Sequence, residues 1–590
     1  MIPIIFYDFE VFKADWLCVL IDVTNRQELV IINDPAKLEA VYKANRGTIW
    51  VGYNSRHYDQ YILKGILCGF NPKEINDSII VDGQPGWKFS NMFRKIPLNN
   101  YDVMLPLDGG LKSLEGFMGN DIRETSVPFD IDRKLTEEEL EETVKYCRYD
   151  VEQTIQIFIR RKEEFDSQLS LVKAFKLPTS YIAKTKAQLS AIILGASRGR
   201  VYDDEFDITF LDTLRIEKYK NILNWYKNPL NRNYSKVLKT DVAGVPHVFA
   251  WGGLHGAIDK YSGSGHFINI DVASYYPALM IEYDSLSRNI ADPEKYRKIR
   301  DRRLQLKAEK NPMQAPYKIV LNSTYGAMKD KNNAMFDPLQ ANNVCVGGQL
   351  LLLDLIERLE GHCELIQSNT DGLLIKLFHY DDYEKIDDIC YEWEQRTRMQ
   401  LEFDEFSRVY QKDVNNYIIV DAQGKHKNKG GYVKKLNELD YDLPIVNRAV
   451  VDAMVKGIPP EVTVNECQAL KDFQKIVKVS SKYMYALYNP TIELKKIRNE
   501  AGRLVKVKEF IGGEIQKEKC FRVFASTRST DGGIFKVKNE IKNPEKFANT
   551  PEVCFIVNES VNDKPVPAYL DRDWYINFAK KRLKDFGVVL

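Results

Sequence analysis

Six carboxylates in this 590-residue chain stand where packing alone gives no reason for them. Asp8 and Glu10 lie two apart in "IIFYDFEVF", a stretch that reads as a strand, so both side chains point to one face. Asp59 follows a second strand-like run, "TIWVGYN", at the end of "NSRHYD", which begins at Asn54. Asp150 lies on a long helical pattern, with Tyr146 four residues earlier on the same face. Carboxylates brought together repel one another unless a cation neutralises them. Four acids converging from two strands and a helix suit two divalent cations. One would generate a hydroxide nucleophile and the other would stabilise the leaving oxygen of a phosphodiester. Tyr146 would orient the attacking water or the scissile phosphate. Asp102, in "NNYDVMLPL", is read as structural.

The other two acids lie far along the chain. Asp371 sits in "QSNTDGLLIK", between the apolar runs "CELI" and "LLIKLF", and the four turn-forming residues Asn369 to Gly372 predict a strand-turn-strand hairpin. Asp271 ends the strand-like "FINI", after which "SYYP" turns the chain toward a helix. In "YKIVLNSTYGAM", Lys318, Asn322 and Tyr325 fall on one helical face. A buried apolar face would not carry Lys and Asn there, whereas a face lying over a nucleotide would.

The elements that must position these residues are legible in part. "IIFYDFEVF", "WLCVLIDV" and "ELVIIND" predict three strands, "PAKLEAVYKAN" and "DQYILKGILCG" two helices. A long helix is expected from about residue 136 to 165, with Thr136 and Glu139 forming a capping box. Residues 166–250 are mixed. Strands and helices alternate from about 256 to 435, and the remainder reads as helical and irregular, with "KYMYALYN" and "EVCFIVN" as strand candidates.

Composition narrows the function class. With 44% hydrophobic and 28% charged residues, the chain has ample material for a folded core, and its length suggests about three or four domains. No apolar run approaches the ~18–20 residues of a membrane helix, so no membrane partner is expected. "MIPIIFYDFE" has no basic stretch before its apolar residues, so no signal peptide is expected and the cytoplasm is the default. Nine cysteines without a CxxC pair point to reduced thiols. The absence of a GxxxxGK[ST] loop argues against an ATPase engine. Net charge is only +1, but basic residues cluster at 296–310, 424–435 and 579–586.

The series DxE, Asp59 after its strand, and YxxxD resembles the DEDDy-type 3′→5′ exonucleases of the ribonuclease-H-like fold, and "LKSLEGFMG" (111–119) fits the same pattern. The series DVASYYP, KIVLNSTYG and NTDG resembles the three polymerase motifs of family B DNA polymerases, in their order and spacing. The resemblance runs to about residue 435. The ending "DRDWYINFAKKRLKDF" is similar to the tail of small bacteriophage members. It implies a multidomain α/β and α+β protein, in which a ribonuclease-H-like exonuclease precedes a right-hand polymerase. The exonuclease would span 1–165 and a connecting region 166–255. Palm would occupy 256–295 and 318–435, short fingers 296–317, and thumb with the C-terminal region 436–590.

The family's roles then fall on particular residues. Asp271 and Asp371 would bind metal with the Val272 carbonyl. Each active site would hold two Mg2+, for which Mn2+ can substitute, the first through Asp8, Glu10, Asp59 and Asp150. Tyr276 would lie under the sugar and exclude a 2′-hydroxyl, leaving Tyr275 as packing. Arg303 and Lys307 would grip the triphosphate, with Lys318, Asn322 and Tyr325 facing the nucleotide. "FAWGGLHGA" resembles an aromatic-x-Gly-Gly loop that meets the template through Gly252 and Gly253. Lys412 and Tyr417 would be the pair that holds the primer terminus, with Lys427 and Lys429 on phosphates and Asn54 on DNA. Primer-template DNA and dNTPs are the implied partners, and a phage helicase, primase or single-strand-binding protein would be accessory ones. One residue departs from the pattern: the family's hairpin reads Asp-Thr-Asp, and Asn369 replaces the first Asp. A nuclease whose polymerase half only clamps DNA is the alternative that this departure raises.

Overall fold

The first three apolar stretches form the antiparallel meander their alternation predicts: β1 (Ile4–Val11), β2 (Trp16–Asp22) and β3 (Gln27–Ile32). This is a computed structural model, and it describes residues 2–199, 203–498, 504–516, 518–538 and 544–589. β4 (Ile49–Gly52) and β5 (Asn100–Asp102) add in parallel, giving the order β3-β2-β1-β4-β5. Parallel pairs need crossovers. These are α1 (Pro35–Ala44) before β4, then α2 (Asp59–Leu67) and α3 (Pro72–Ile80) before β5. α4 (Leu111–Met118) and α5 (Glu137–Arg160) complete this part.

Thr136 and Glu139 form the expected capping box on α5, a cap that contributes about 1 kcal/mol. The helix ends earlier than the pattern suggests. Arg161 leaves the helical conformation (φ −107°, ψ 18°), and α6 (Lys162–Ala174) starts after it. Its guanidinium is drawn to the Val103 carbonyl at 2.7 Å and to Asp108 at 2.8 Å, contacts that no local periodicity encodes.

After α7 (Lys186–Leu194) and α8 (Lys220–Lys227) comes a nine-stranded antiparallel sheet. Its strands are β6 (Val237–Val242), β7 (Val245–Ala250), β8 (Gly253–Ala257), β9 (Tyr261–Val272), β10 (Cys363–Ser368), β11 (Gly372–Leu377), β12 (Leu401–Asp413), β13 (Asn416–Val420) and β14 (His426–Lys429). Their order is β14-β13-β12-β9-β11-β10-β8-β7-β6, so the sheet begins before residue 256. α9 (Tyr275–Glu282), α10 (Glu294–Ala308), α11 (Gln314–Lys329), α12 (Pro338–Leu359) and α13 (Tyr383–Thr397) share the largest apolar core with it. By length and composition α12 is apolar enough to cross a membrane, contrary to the sequence reading, but 89% of its most apolar window is buried inside the protein.

The C-terminal part is richer in strands than expected. Besides α14 (Pro444–Lys456), α15 (Pro460–Glu466) and α16 (Arg572–Asp585) it holds β15 (Lys475–Lys478), β16 (Tyr485–Tyr488), β17 (Thr491–Arg498), β18 (Leu504–Ile511), β19 (Glu514–Gln516), β20 (Cys520–Ala525), β21 (Ile534–Val537), β22 (Glu545–Lys546) and β23 (Cys554–Ile556). They form the sheets β15-β20-β23, β19-β16-β21-β22 and β17-β18. Lys and Glu interrupt the apolar runs of these short strands, which hides the period of two. The expected divisions at 165/166, 255/256, 295/296 and 317/318 run through α6, β8, α10 and α11. Motifs mark chemistry and need not coincide with the ends of elements.

Candidate active sites

β1 presents Asp8 and Glu10 on one face. Asp59, in the first turn of α2, accepts the Phe9 N–H at 3.2 Å and so comes in beside them. The turn before α2 is set by Asp102, whose carboxylate accepts from the backbone of Asn54 (2.9 Å), Arg56 (3.0 Å) and Met104 (3.0 Å). Asn54 is left-handed there (φ 58°), a conformation Asn tolerates. α5 brings Asp150 from the other side, and Tyr146 with it. Ligand atoms of Asp8, Glu10 and Cys147 lie within 4.8 Å of one another.

Sequence reading missed two members of this cluster. Lys112, on α4, places Nζ 2.6 Å from Asp150 Oδ1, 3.1 Å from Glu115 Oε1 and 4.5 Å from the Tyr146 ring centre. Their three-residue spacing inside "LKSLEGFMG" was the available signal. Burial pushes Asp8 up to about 7, helped by Asp150 and opposed by Lys112. Burial also raises Glu10, with Asp8 and Asp150 adding to it; it raises Asp59, with Asp8 adding; and it raises Asp150 against Lys112. Glu115 is lifted to about 8 by its burial. One lysine therefore does not balance these acids. Their hard oxygen donors fit a divalent cation such as Mg2+ or Mn2+, which Asp8, Glu10, Asp59 and Asp150 would hold.

A stability test follows. An unfolded Asp titrates near ~3.9, whereas folded Asp8 titrates at about 7. Between these values the unfolded chain binds fewer protons than the folded one, so metal-free stability falls as pH rises from about 4 to about 7. Mg2+ should therefore raise Tm more at pH 8 than at pH 5. Asp8→Asn with Glu10→Gln should remove most of that difference in thermal scans. Equal gains at both pH values in the wild type would mean that these acids hold no cation.

The second cluster forms where β11 leaves its turn. Gly372 pairs with Asp271 across the ladder, and the Val272 N–H donates to the Asp371 carbonyl at 2.8 Å. A Cβ at Gly372 would stand 2.2 Å from Asp271 Oδ1 and 2.7 Å from the Ile270 carbonyl, so only glycine lets the two strands meet at that carboxylate. Asn369 Oδ1 accepts from the N–H groups of Asp371 (3.0 Å) and Gly372 (2.9 Å), closing the turn. Burial raises Asp271, Asp371 adds to it, and the hydrogen bond from Asn269 (2.6 Å) opposes it. Asp371 itself is exposed.

A cleft of about 500 Å³ opens over this turn. Val272, Tyr275, Tyr276, Asp371, Arg303, Lys307, Lys318 and Asn322 line it. Arg303 is buried and donates to Ser274 Oγ at 2.9 Å, while its Nε has no partner among the described residues. Gln314 and Glu402 also line the cleft and were not anticipated. Glu402 faces Asp271 from β12, and 3.9 Å separates it from Lys307. Tyr325 does not reach the cleft; its ring packs on Tyr276 with centroids 4.3 Å apart. Tyr275 is buried and donates to the Gly348 carbonyl at 2.6 Å.

The expected pairing of Lys412 with Tyr417 is not what the strands produce. Lys412 is ion-paired to Asp413 (2.8 Å) and lies over the Tyr432 ring. Tyr417 faces Lys429 on β14, with 5.9 Å from Nζ to the ring centre. The reason is strand alternation: Tyr417 is opposite Gln411, one residue before Lys412, and the register shifts there. Burial raises the Tyr417 hydroxyl, and Asp271 adds to it. Lys427 is paired to Asp404 at 2.6 Å. Trp251 and Gly252 form the turn into β8, whose first residue is Gly253. Gly253 has φ 153°, which demands glycine, whereas a Cβ at Gly252 would meet no atom within 4 Å.

No family model and no curated protein matches the chain. Among solved structures it is similar to the family B DNA polymerase from the hyperthermophilic archaeon Pyrobaculum calidifontis, at 13% identity and a TM-score of 0.40, over 100% of this chain and 78% of that one. A likeness this distant does not decide function, which is argued from the two sites.

Proposed function

We propose that the chain is a template-directed DNA polymerase of family B, small bacteriophage type, with a DEDDy-type proofreading 3′→5′ exonuclease. The observation that carries this reading is the cleft in which Asp371, Arg303, Lys307, Lys318 and Asn322 meet from one hairpin turn and two helices. Asp371 and three cations lining one cleft of this size suit a nucleoside triphosphate, with Asp271 beside it on the strand paired to Gly372. Arg303, Lys307 and Lys318 neutralise the triphosphate, and Asp271 and Asp371 are the residues that would hold Mg2+. A divalent cation held there would supply activation of the primer 3′-hydroxyl and charge compensation on the leaving pyrophosphate. Tyr417 and Lys429 hold the primer terminus. In the N-terminal cluster Asp8, Glu10, Asp59 and Asp150 would hold the metals of phosphodiester hydrolysis, and Tyr146 orients the scissile group.

In this reading the five-stranded sheet belongs to a ribonuclease-H-like exonuclease. The nine-stranded sheet is the palm, α10 and the start of α11 are short fingers, and the C-terminal region includes the thumb. Primer-template DNA and dNTPs are its partners, phage helicase, primase or single-strand-binding protein are accessory ones, and it works in the host cytoplasm. Primer extension by wild type and Asp371→Ala, with and without dNTPs, tests it. Extension by the wild type alone is expected; degradation without any extension would leave only a nuclease.

Sugar selection is a sharper test. Both tyrosines line the cleft, but Tyr275 is buried and its hydroxyl is committed to the Gly348 carbonyl at 2.6 Å, so in this reading steric rejection of a 2′-hydroxyl falls to Tyr276. Tyr276→Ala should admit ATP at some loss of dATP efficiency, whereas Tyr275→Ala should damage stability or overall rate without changing preference. The measurement is kcat/KM for dATP and ATP on one primer-template. ATP use gained by Tyr275→Ala instead would shift every role in this motif by one residue.

A further inference from the structure

Arg522, on β20, is 0% exposed, and among the described residues no carboxylate lies within ion-pair distance of it. Its donors go to oxygens from separate stretches of the chain. Nη2 reaches the carbonyls of Gly116 (3.0 Å) and Asn120 (2.9 Å), at and just beyond the C-terminal end of α4. Nη1 reaches the carbonyls of Val557 (3.3 Å) and Glu559 (3.0 Å), and Nε reaches Gln474 Oε1 at 2.8 Å. Gln474 in turn donates to the Phe117 carbonyl at 3.1 Å. Two backbone bonds continue the junction: Ile122 N–H to the Asn558 carbonyl (2.8 Å) and Val561 N–H to the Gly119 carbonyl (2.9 Å).

A helix ends with carbonyls that lack internal partners and carry partial negative charge. In α4 the Gly116 carbonyl, which also accepts the Gly119 N–H, takes a bond from Arg522, and the Phe117 carbonyl takes one from Gln474, donors about 400 and 360 residues away. Holding a buried cation without a counter-charge is costly, and burial pushes the Arg522 guanidinium down to about 10. All three of its nitrogens are nonetheless committed to this junction. The same short helix carries Lys112, whose Nζ rests on Asp150.

We infer that Arg522 is a positioning residue for the N-terminal site: by capping α4 from the β15-β20-β23 sheet, it sets Lys112 against Asp150. The inference rests on the nuclease reading of that site. It makes the site incomplete without the C-terminal region, so truncation after α5 would remove part of its support.

The test uses the full chain and three variants: Arg522→Met, Lys112→Met and the double. The assay is single-turnover degradation of a short single-stranded oligonucleotide in Mg2+. Each single variant should slow degradation at least about tenfold while dNTP incorporation stays within about twofold. The double should be no slower than the slower single, because Arg522 acts through Lys112. Arg522→Lys should recover part of the rate. Gln474→Leu, a milder change at the same helix end, should slow degradation in the same direction. Amide hydrogen exchange over 111–122 should speed up in Arg522→Met, a readout independent of activity. Losses that multiply in the double, or wild-type degradation by Arg522→Met, would overturn the positioning role. Unchanged exchange would overturn the clamp itself. Faster exchange in Arg522→Met beside a wild type that degrades nothing would instead overturn the nuclease reading.

Discussion

Asp371→Asn is expected to lower primer extension by roughly a thousandfold, about 4 kcal/mol of barrier, while Asn369→Asp keeps wild-type activity or modestly raises it. The two residues share one turn and differ in what their side chains do. Asn369 Oδ1 is committed to the N–H groups of Asp371 and Gly372. A carboxylate at 369 accepts the same two bonds and adds a negative charge near the metal site, which is favourable. Asp371 is exposed to the cleft and makes no side-chain hydrogen bond among the described residues, so its carboxylate is free for a ligand. Asparagine there keeps the size and loses the charge. Steady-state extension at saturating Mg2+ measures both variants, and thermal scans confirm that each is folded. Equal activity in the two would reduce Asp371 to a turn residue and leave the cleft without its metal pair.

The double substitution Asp8→Ala with Glu10→Ala should abolish degradation of single strands, a loss of about three orders of magnitude or more, and leave extension intact. These acids lie on β1 of the five-stranded sheet, whereas Asp271 and Asp371 belong to the nine-stranded one. Removing two acids whose ionisation is resisted by desolvation and by their neighbours also relieves repulsion, so the variant should fold at least as well as the wild type at neutral pH. Both reactions are followed on one labelled primer-template, with and without dNTPs. A well-folded double mutant that loses both activities would count against two independent sites.

What the sequence by itself determined is local. Period-two alternation placed Asp8 and Glu10 on one face of β1. Thr136 and Glu139 marked the start of α5, and turn residues marked the hairpin at Asp371. Helical spacing put Lys318 and Asn322 together on the cleft side of α11. Each follows from contacts within a few residues, where backbone geometry alone settles which side chains share a face. The tertiary structure decided the rest. Lys429 replaced Lys412 beside Tyr417 because the register of three strands determines who sits opposite whom. α5 stopped at Arg160 because Arg161 is held by Val103 and Asp108. The need for glycine at 372 appeared only when a strand about 100 residues earlier brought the Asp271 carboxylate to within 2.2 Å of its missing Cβ. Lys112 gained its place on Asp150 through α4, and α4 its cap from Arg522. Such pairings depend on how separate elements pack, and no pattern within either element records the other.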